Sequence, residues 1–162
     1  MPKPTFQEEV EAAERFLQER WSKKQVPTGE EAFGFSADDP PSTVDAYYWD
    51  VFAYRRWDKV HEPSIRRSME SMTDAGRAYY IGTFLRYGLH DLKSGIEGMG
   101  IACVDEVRHA MHGLRSHGLL AQYFDEEDIE AIKTCMKCFR KYWPEFKDEE
   151  QMFLISWRRS SL

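Results

Sequence analysis

Asp105, His109 and His112 follow one another at steps of four and three residues, which brings a carboxylate and two imidazoles into the spacing of helical metal sites. Glu106 with His109 adds a Glu-x-x-His pair, half of the motif that di-iron bundles use. At 100° per residue, Asp105, His109, His112 and Ser116 fall within about 60° of one another on a helix, close enough to converge on an ion. The chemistry would be that of a metal-dependent helical enzyme or a metal sensor. Two features weigh the other way. A di-iron site needs a second Glu-x-x-His and two further inward glutamates, whereas this chain has one such pair. The trio also lies opposite the apolar stripe Met99, Cys103, Val107, Ala110 and Leu114, so a wet polar face without metal is the expectation.

Cys135-Met-Lys-Cys138 has C-x-x-C spacing. Cys138 lies roughly 140° from the centre of the stripe Ile129, Ile132, Met136, Phe139 and Trp143, which predicts a solvent-facing thiol. A thioredoxin-like pair would need a βαβ setting, and no strand pattern is present. The three cysteines are an odd number in a chain with no export signal, so they read as reduced thiols, with Cys103 a small core residue. No G-x-S-x-G elbow, phosphate-binding glycine loop or HExxH occurs. The adjacent acids Glu30-Glu31 and Asp38-Asp39 sit among Pro and Gly and read as solvated rather than as an acid–base pair. No catalytic residue and no cofactor is therefore assigned.

Recognition is better supplied with residues. Residues 1–50 carry five Lys/Arg against eleven Asp/Glu, which is the whole of the net charge of -6. The pI of about 5.4 disfavours nucleic acid as a partner. Residues 51–90 reverse the balance, with seven bases against four acids. Six of the eleven residues 47–57 are aromatic: Tyr47, Tyr48, Trp49, Phe52, Tyr54 and Trp57. One helix face cannot bury all six. Either flanking helices cover both sides, or the surplus Tyr and Trp serve as interface anchors. Glu30, Glu31, Asp38, Asp39, Asp45 and Asp50 lie in the same segment as Tyr47, Tyr48 and Trp49, and these nine residues form the predicted partner-binding surface. Its charge would speed encounter with a basic protein and its aromatics would hold the complex. The same aromatics suit a two-fold contact, so a homo-oligomeric scaffold is the alternative.

The elements that must position these groups are all helical. Thr5 to Glu8 has capping-box spacing, and Phe6, Val10, Ala13, Leu17 and Trp21 recur at helical steps, predicting a first helix to about Lys24. Residues 26–42 hold three prolines and two glycines and read as irregular, apart from a short turn capped by Thr28. A second helix is predicted from Ser42 or Thr43 to about Val60, a short one over Ser64–Met72, and a long central one over Thr73–Leu92. Helices from about Met99 to Ser116, from Asp125 to Pro144 and over Lys147–Arg159 complete a single-domain bundle of six or seven helices spanning 1–162. At 162 residues such a fold buries roughly 70% of its unfolded surface and needs no staple. With no 18-residue apolar run and an acidic N-terminus, no membrane association and a cytoplasmic location are expected.

Arg56-Trp57-Asp58-Lys59-Val60, followed by Ser71-Met72-Thr73-Asp74-Ala75-Gly76-Arg77-Ala78-Tyr79-Tyr80-Ile81-Gly82-Thr83-Phe84-Leu85, resembles a bacterial all-helical family of unknown function. In that family a Trp and a short spacer precede a helix reading Thr-Pro-Glu-Gly, aromatic, Tyr-Tyr-Leu-Pro-Ala-Tyr-Leu. Phe124 to Ile132 is similar to the opening of a later helix in its members. The likeness covers about half of the chain and departs at Gly82, where the pattern has proline, and at Asp128, where it has glutamine. It implies no catalytic residues. In size, acidity and helical character such proteins are similar to bacterial immunity proteins, which implies an antitoxin-like role that neutralises a basic toxin by occluding it.

Overall fold

The computed structural model describes residues 2–61, 67–96 and 98–146. These form seven α-helices: α1 (Phe6–Trp21), α2 (Gly29–Phe33), α3 (Thr43–Phe52), α4 (Asp74–Ser94), α5 (Met99–Ser116), α6 (Leu120–Tyr123) and α7 (Glu126–Tyr142). Three 3-10 turns, Trp57–Lys59, Ser68–Ser71 and Pro144–Phe146, lie between or after them, and no strand occurs among the described residues. The chain is thus an all-α bundle. The helix predicted over Lys147–Arg159 lies outside the described residues, as does the start of the one predicted over Ser64–Met72.

Local sequence starts most of these helices. Thr5, Thr28 and Asp125 each close a capping box with Glu8, Glu31 and Asp128, and Ser42 and Thr73 accept backbone N–H groups at the starts of α3 and α4. The central helix is α4, packed against α1, α2, α5, α7 and the 57–59 turn. Tyr80, Ile81, Phe84, Leu85 and Leu89 are completely buried along it. Its close neighbours need glycine. A Cβ on Gly82 would stand 2.5 Å from Nε1 and 2.7 Å from Cγ of Trp21, and one on Gly76 would stand 3.0 Å from the carbonyl carbon of Ala32.

Helices α1 and α7 run antiparallel, and charge fixes both ends of the pair. Arg20, near the C-terminus of α1, donates to Asp125, Glu127 and Asp128 at the N-terminus of α7, at 2.6, 2.7 and 3.1 Å. Lys24 reaches the other oxygen of Asp128 at 2.8 Å. A buried carboxylate is costly unless its lone pairs are met, and here two cations and the Asp125 amide meet them. At the far end the Glu9 carboxylate accepts from Lys141 at 2.6 Å and from Tyr142 at 3.0 Å.

Two expectations change. Cys138 is buried, not solvent-facing, because α7 has a second face, carrying Asp128, Ala131, Cys135 and Cys138, that packs on α1; the Cys138 thiol lies 3.8 Å from the Glu9 carbonyl oxygen. Burial pushes the Cys138 thiol up to about 11 and that of Cys103 up to about 12, and all three cysteines are free thiols. The second change concerns α3, which stops at Phe52 rather than near Val60. The Tyr80 hydroxyl donates to the carbonyls of Phe52 at 2.6 Å and Arg55 at 2.9 Å, and Tyr54 turns into the left-handed region at φ 62°. From there the strip to Val60 lies along α4. The Trp57 amide donates to Tyr79 Oη, Thr83 Oγ1 donates to the Trp57 carbonyl, and Tyr87 Oη donates to the Val60 carbonyl. Hydroxyls of α4 thus take the backbone groups that a longer α3 would have paired internally.

Candidate protein-docking surface

The predicted surface is built on α2, α3 and the turn at Tyr54. Thr73 fastens α2 to the core: its hydroxyl donates to the Glu31 carbonyl at 2.5 Å and its amide to the Ala32 carbonyl at 2.9 Å. Trp49 of α3 then lies over the first turn of α2, where a Cβ on Gly29 would come within 2.6 Å of Cζ2 of the indole. Around Trp49 the rings of Phe35, Phe33 and Tyr54 have centroids at 5.5, 5.9 and 6.1 Å. The Tyr54 hydroxyl donates to Glu30 Oε2 at 2.6 Å, and that bond is the main cause holding the Glu30 carboxyl below its usual range. Glu30, Trp49 and Tyr54 therefore form one surface unit.

The six aromatics of 47–57 divide. Phe52 and Trp57 are buried in the core, Tyr48 and Trp49 are half-buried, and Tyr47 and Tyr54 are exposed. Flanking elements cover only part of the set. Val44, Tyr47 and Tyr54 are 57%, 41% and 58% exposed, and they make three of the five large hydrophobics left outside among the described residues. Apolar residues scattered singly would need no explanation, but these three fall within eleven positions.

The nine predicted residues are not all placed for recognition. Glu31 is engaged in the capping box of α2, its Oε1 accepting the Thr28 amide at 3.1 Å. Asp45 is held by Ser71 and by Ser42, whose hydroxyls keep its carboxyl below the usual range. Both acids therefore serve the structure. Asp38, Asp39 and Asp50 are exposed, as is Glu30. Sequence reasoning missed Val44, Phe33, Phe35 and Gly29. The small residue at the first position of α2, three residues after a proline-bearing loop begins, is the trace that Trp49 leaves in the sequence.

The structure does not bring Asp105, His109 and His112 together as a metal site. Asp105 pairs with Arg108 at 2.5 Å and lies 3.4 Å from His109 Nε2, while His112 turns to Arg115 at 3.3 Å. Both imidazoles are exposed, and no group of three His, Cys, Asp or Glu side chains among the described residues is arranged to hold an ion. No described helix is long and apolar enough to cross a membrane. No family model, no curated protein and no solved structure matches the chain.

Proposed function

We propose that this protein is a binding module of the immunity or antitoxin kind, which takes a basic protein partner on the surface formed by α2, α3 and the Tyr54 turn and acts by occluding it. The observation that carries this reading is the coincidence of exposed Val44, Tyr47 and Tyr54 with exposed Glu30, Asp38, Asp39 and Asp50 in one segment. Exposed apolar and aromatic anchors accompanied by charge of one sign suit a fast, tight encounter with an oppositely charged surface. A two-fold contact between copies through the same surface would set these acids against their own equivalents, which favours a different, basic chain over self-association.

The test uses two sets of substitutions on the full chain. Asp38→Lys, Asp39→Lys and Asp50→Lys together should slow association with the co-purifying partner by about tenfold or more at low salt and flatten its salt dependence. Tyr47→Ala with Tyr54→Ala should instead raise the off-rate. Asp45 is left alone because its carboxylate is held by Ser71 and by Ser42, the N-cap of α3. A partner that binds both variants like the parent protein removes this surface from the proposal.

A further inference from the structure

We propose that Tyr54 and Glu30 together receive an arginine side chain of the basic partner, an inference that rests on the docking reading above and names the group it recognises. The first support lies in the backbone. The Arg55 amide donates to the Phe52 carbonyl at 2.9 Å, Ala53 takes φ -54° and ψ 131°, and Tyr54 takes φ 62°, which makes a type II turn with Tyr54 at its third position. That position calls for glycine or asparagine, because a Cβ is strained at positive φ. Tyrosine there is a cost to the fold. The Tyr80 hydroxyl holds the turn from inside through the Phe52 and Arg55 carbonyls, so the core imposes the strain on an exposed residue.

What the tyrosine offers in return lies outside. It is 58% exposed, and Trp49 meets its ring in an edge contact at 78°, which leaves a ring face uncovered by the indole. Its hydroxyl is fixed twice, donating to Glu30 Oε2 at 2.6 Å and hydrogen-bonded by the Gly29 backbone. The ring is therefore in place before a partner arrives, which reduces the entropy lost on binding. Glu30 is exposed, and its carboxylate makes no ion pair with a described residue. A carboxylate beside an open aromatic face suits a flat cation that pairs with the one and stacks on the other. Guanidinium does both, whereas the strongly hydrated ammonium of lysine is the poorer match. Exposed Asp38, Asp39 and Asp50 of the same segment add charge of the same sign.

The experiment titrates the full chain, ¹³C-labelled in its tyrosine rings, with two octapeptide amides of equal charge, one alternating Gly-Arg and the other Gly-Lys. Tyr54→Phe assigns the Tyr54 ring signal. The expected result is a saturable shift of that signal with the arginine peptide at about millimolar concentration. Binding should be weaker by about threefold or more with the lysine peptide, and likewise in Glu30→Gln. Tyr54→Gly, which suits the turn, should lose binding of a fluorescein-labelled arginine peptide while its thermal midpoint rises or stays within about 4 °C of the parent. Equal binding of the two peptides, no shift of the Tyr54 signal, or a Tyr54→Gly midpoint lowered further than that overturns the assignment. A Tyr54 signal that moves on dilution of the protein alone gives the face to a second copy and overturns it too. A Tyr47 signal that shifts while Tyr54 stays still overturns this assignment alone, because the docking reading is tested separately by the association kinetics of the aspartate-to-lysine variant.

Discussion

Replacing Gly82 with alanine sets two known effects against each other. In a helix interior the change should help by about 1 kcal/mol, because alanine restricts the unfolded chain and glycine does not. Here the added methyl has no room: it would sit 2.5 Å from Nε1 of Trp21, a completely buried side chain. That indole N–H also donates to the Tyr79 carbonyl at 2.7 Å, so the ring cannot retreat without leaving a buried carbonyl and a buried donor unmet. Overpacking costs about 1–3 kcal/mol and a broken buried hydrogen bond about 1–3 kcal/mol more if the ring does move. The balance is a loss of about 2 kcal/mol, which for a domain of this size lowers the midpoint by about 4–8 °C. Thermal unfolding followed by circular dichroism reads it directly. Gly113→Ala is the control, since a Cβ there meets nothing within 4 Å, and it should gain about 0.5–1 kcal/mol from helix propensity. A Gly82→Ala midpoint at or above that of the parent protein refutes the packing of Trp21 on α4.

Other outcomes follow from named contacts. Tyr80→Phe removes the hydroxyl that serves the Phe52 and Arg55 carbonyls and should destabilise by about 1–3 kcal/mol, read by urea unfolding. Asp125 and Glu9 have depressed carboxyl values in the folded chain, the first mainly through the Asp128 amide and the second mainly through the Lys141 hydrogen bond. Their contribution is therefore present above the usual carboxylate range near pH 4 and is lost as pH falls through the lower folded values. Unfolding midpoints of the Asp125→Asn, Glu9→Gln double variant should consequently vary less below about pH 4 than those of the parent. The cysteine thiols, buried and pushed upward, should resist a thiol-labelling reagent at neutral pH and all react in denaturant.

Much of the fold is legible because it is local. A cap is a hydroxyl or carboxylate beside its own backbone, so Thr5, Thr28, Ser42, Thr73 and Asp125 mark helix starts within a few residues of sequence. The α5 stripe likewise runs over the predicted bounds, Met99–Ser116. The candidate surface is legible only as a composition, acids beside aromatics, and the sequence does not say that Asp45 and Glu31 are already engaged. The residues Gly82 and Asp128 become intelligible only when Trp21, Arg20 and Lys24 are seen against them.

By itself the sequence determined α1, α4, α5 and α7, the caps at Thr5, Thr28, Thr73 and Asp125, the central place of α4 and the acidic, aromatic segment, because each rests on spacing within one turn or on counts of residue types. Tertiary structure alone decided that α3 ends at Phe52, that Cys138 turns inward, and which of the six aromatics stay outside. These outcomes depend on partners tens of residues away: the hydroxyls of Tyr79, Tyr80, Thr83 and Tyr87 capture the 52–60 backbone, and α1 covers a face of α7 that periodicity assigns to water. Helical periodicity finds one apolar stripe per helix, and a helix packed on two sides, or one stopped by another helix's side chains, lies beyond what that local signal contains.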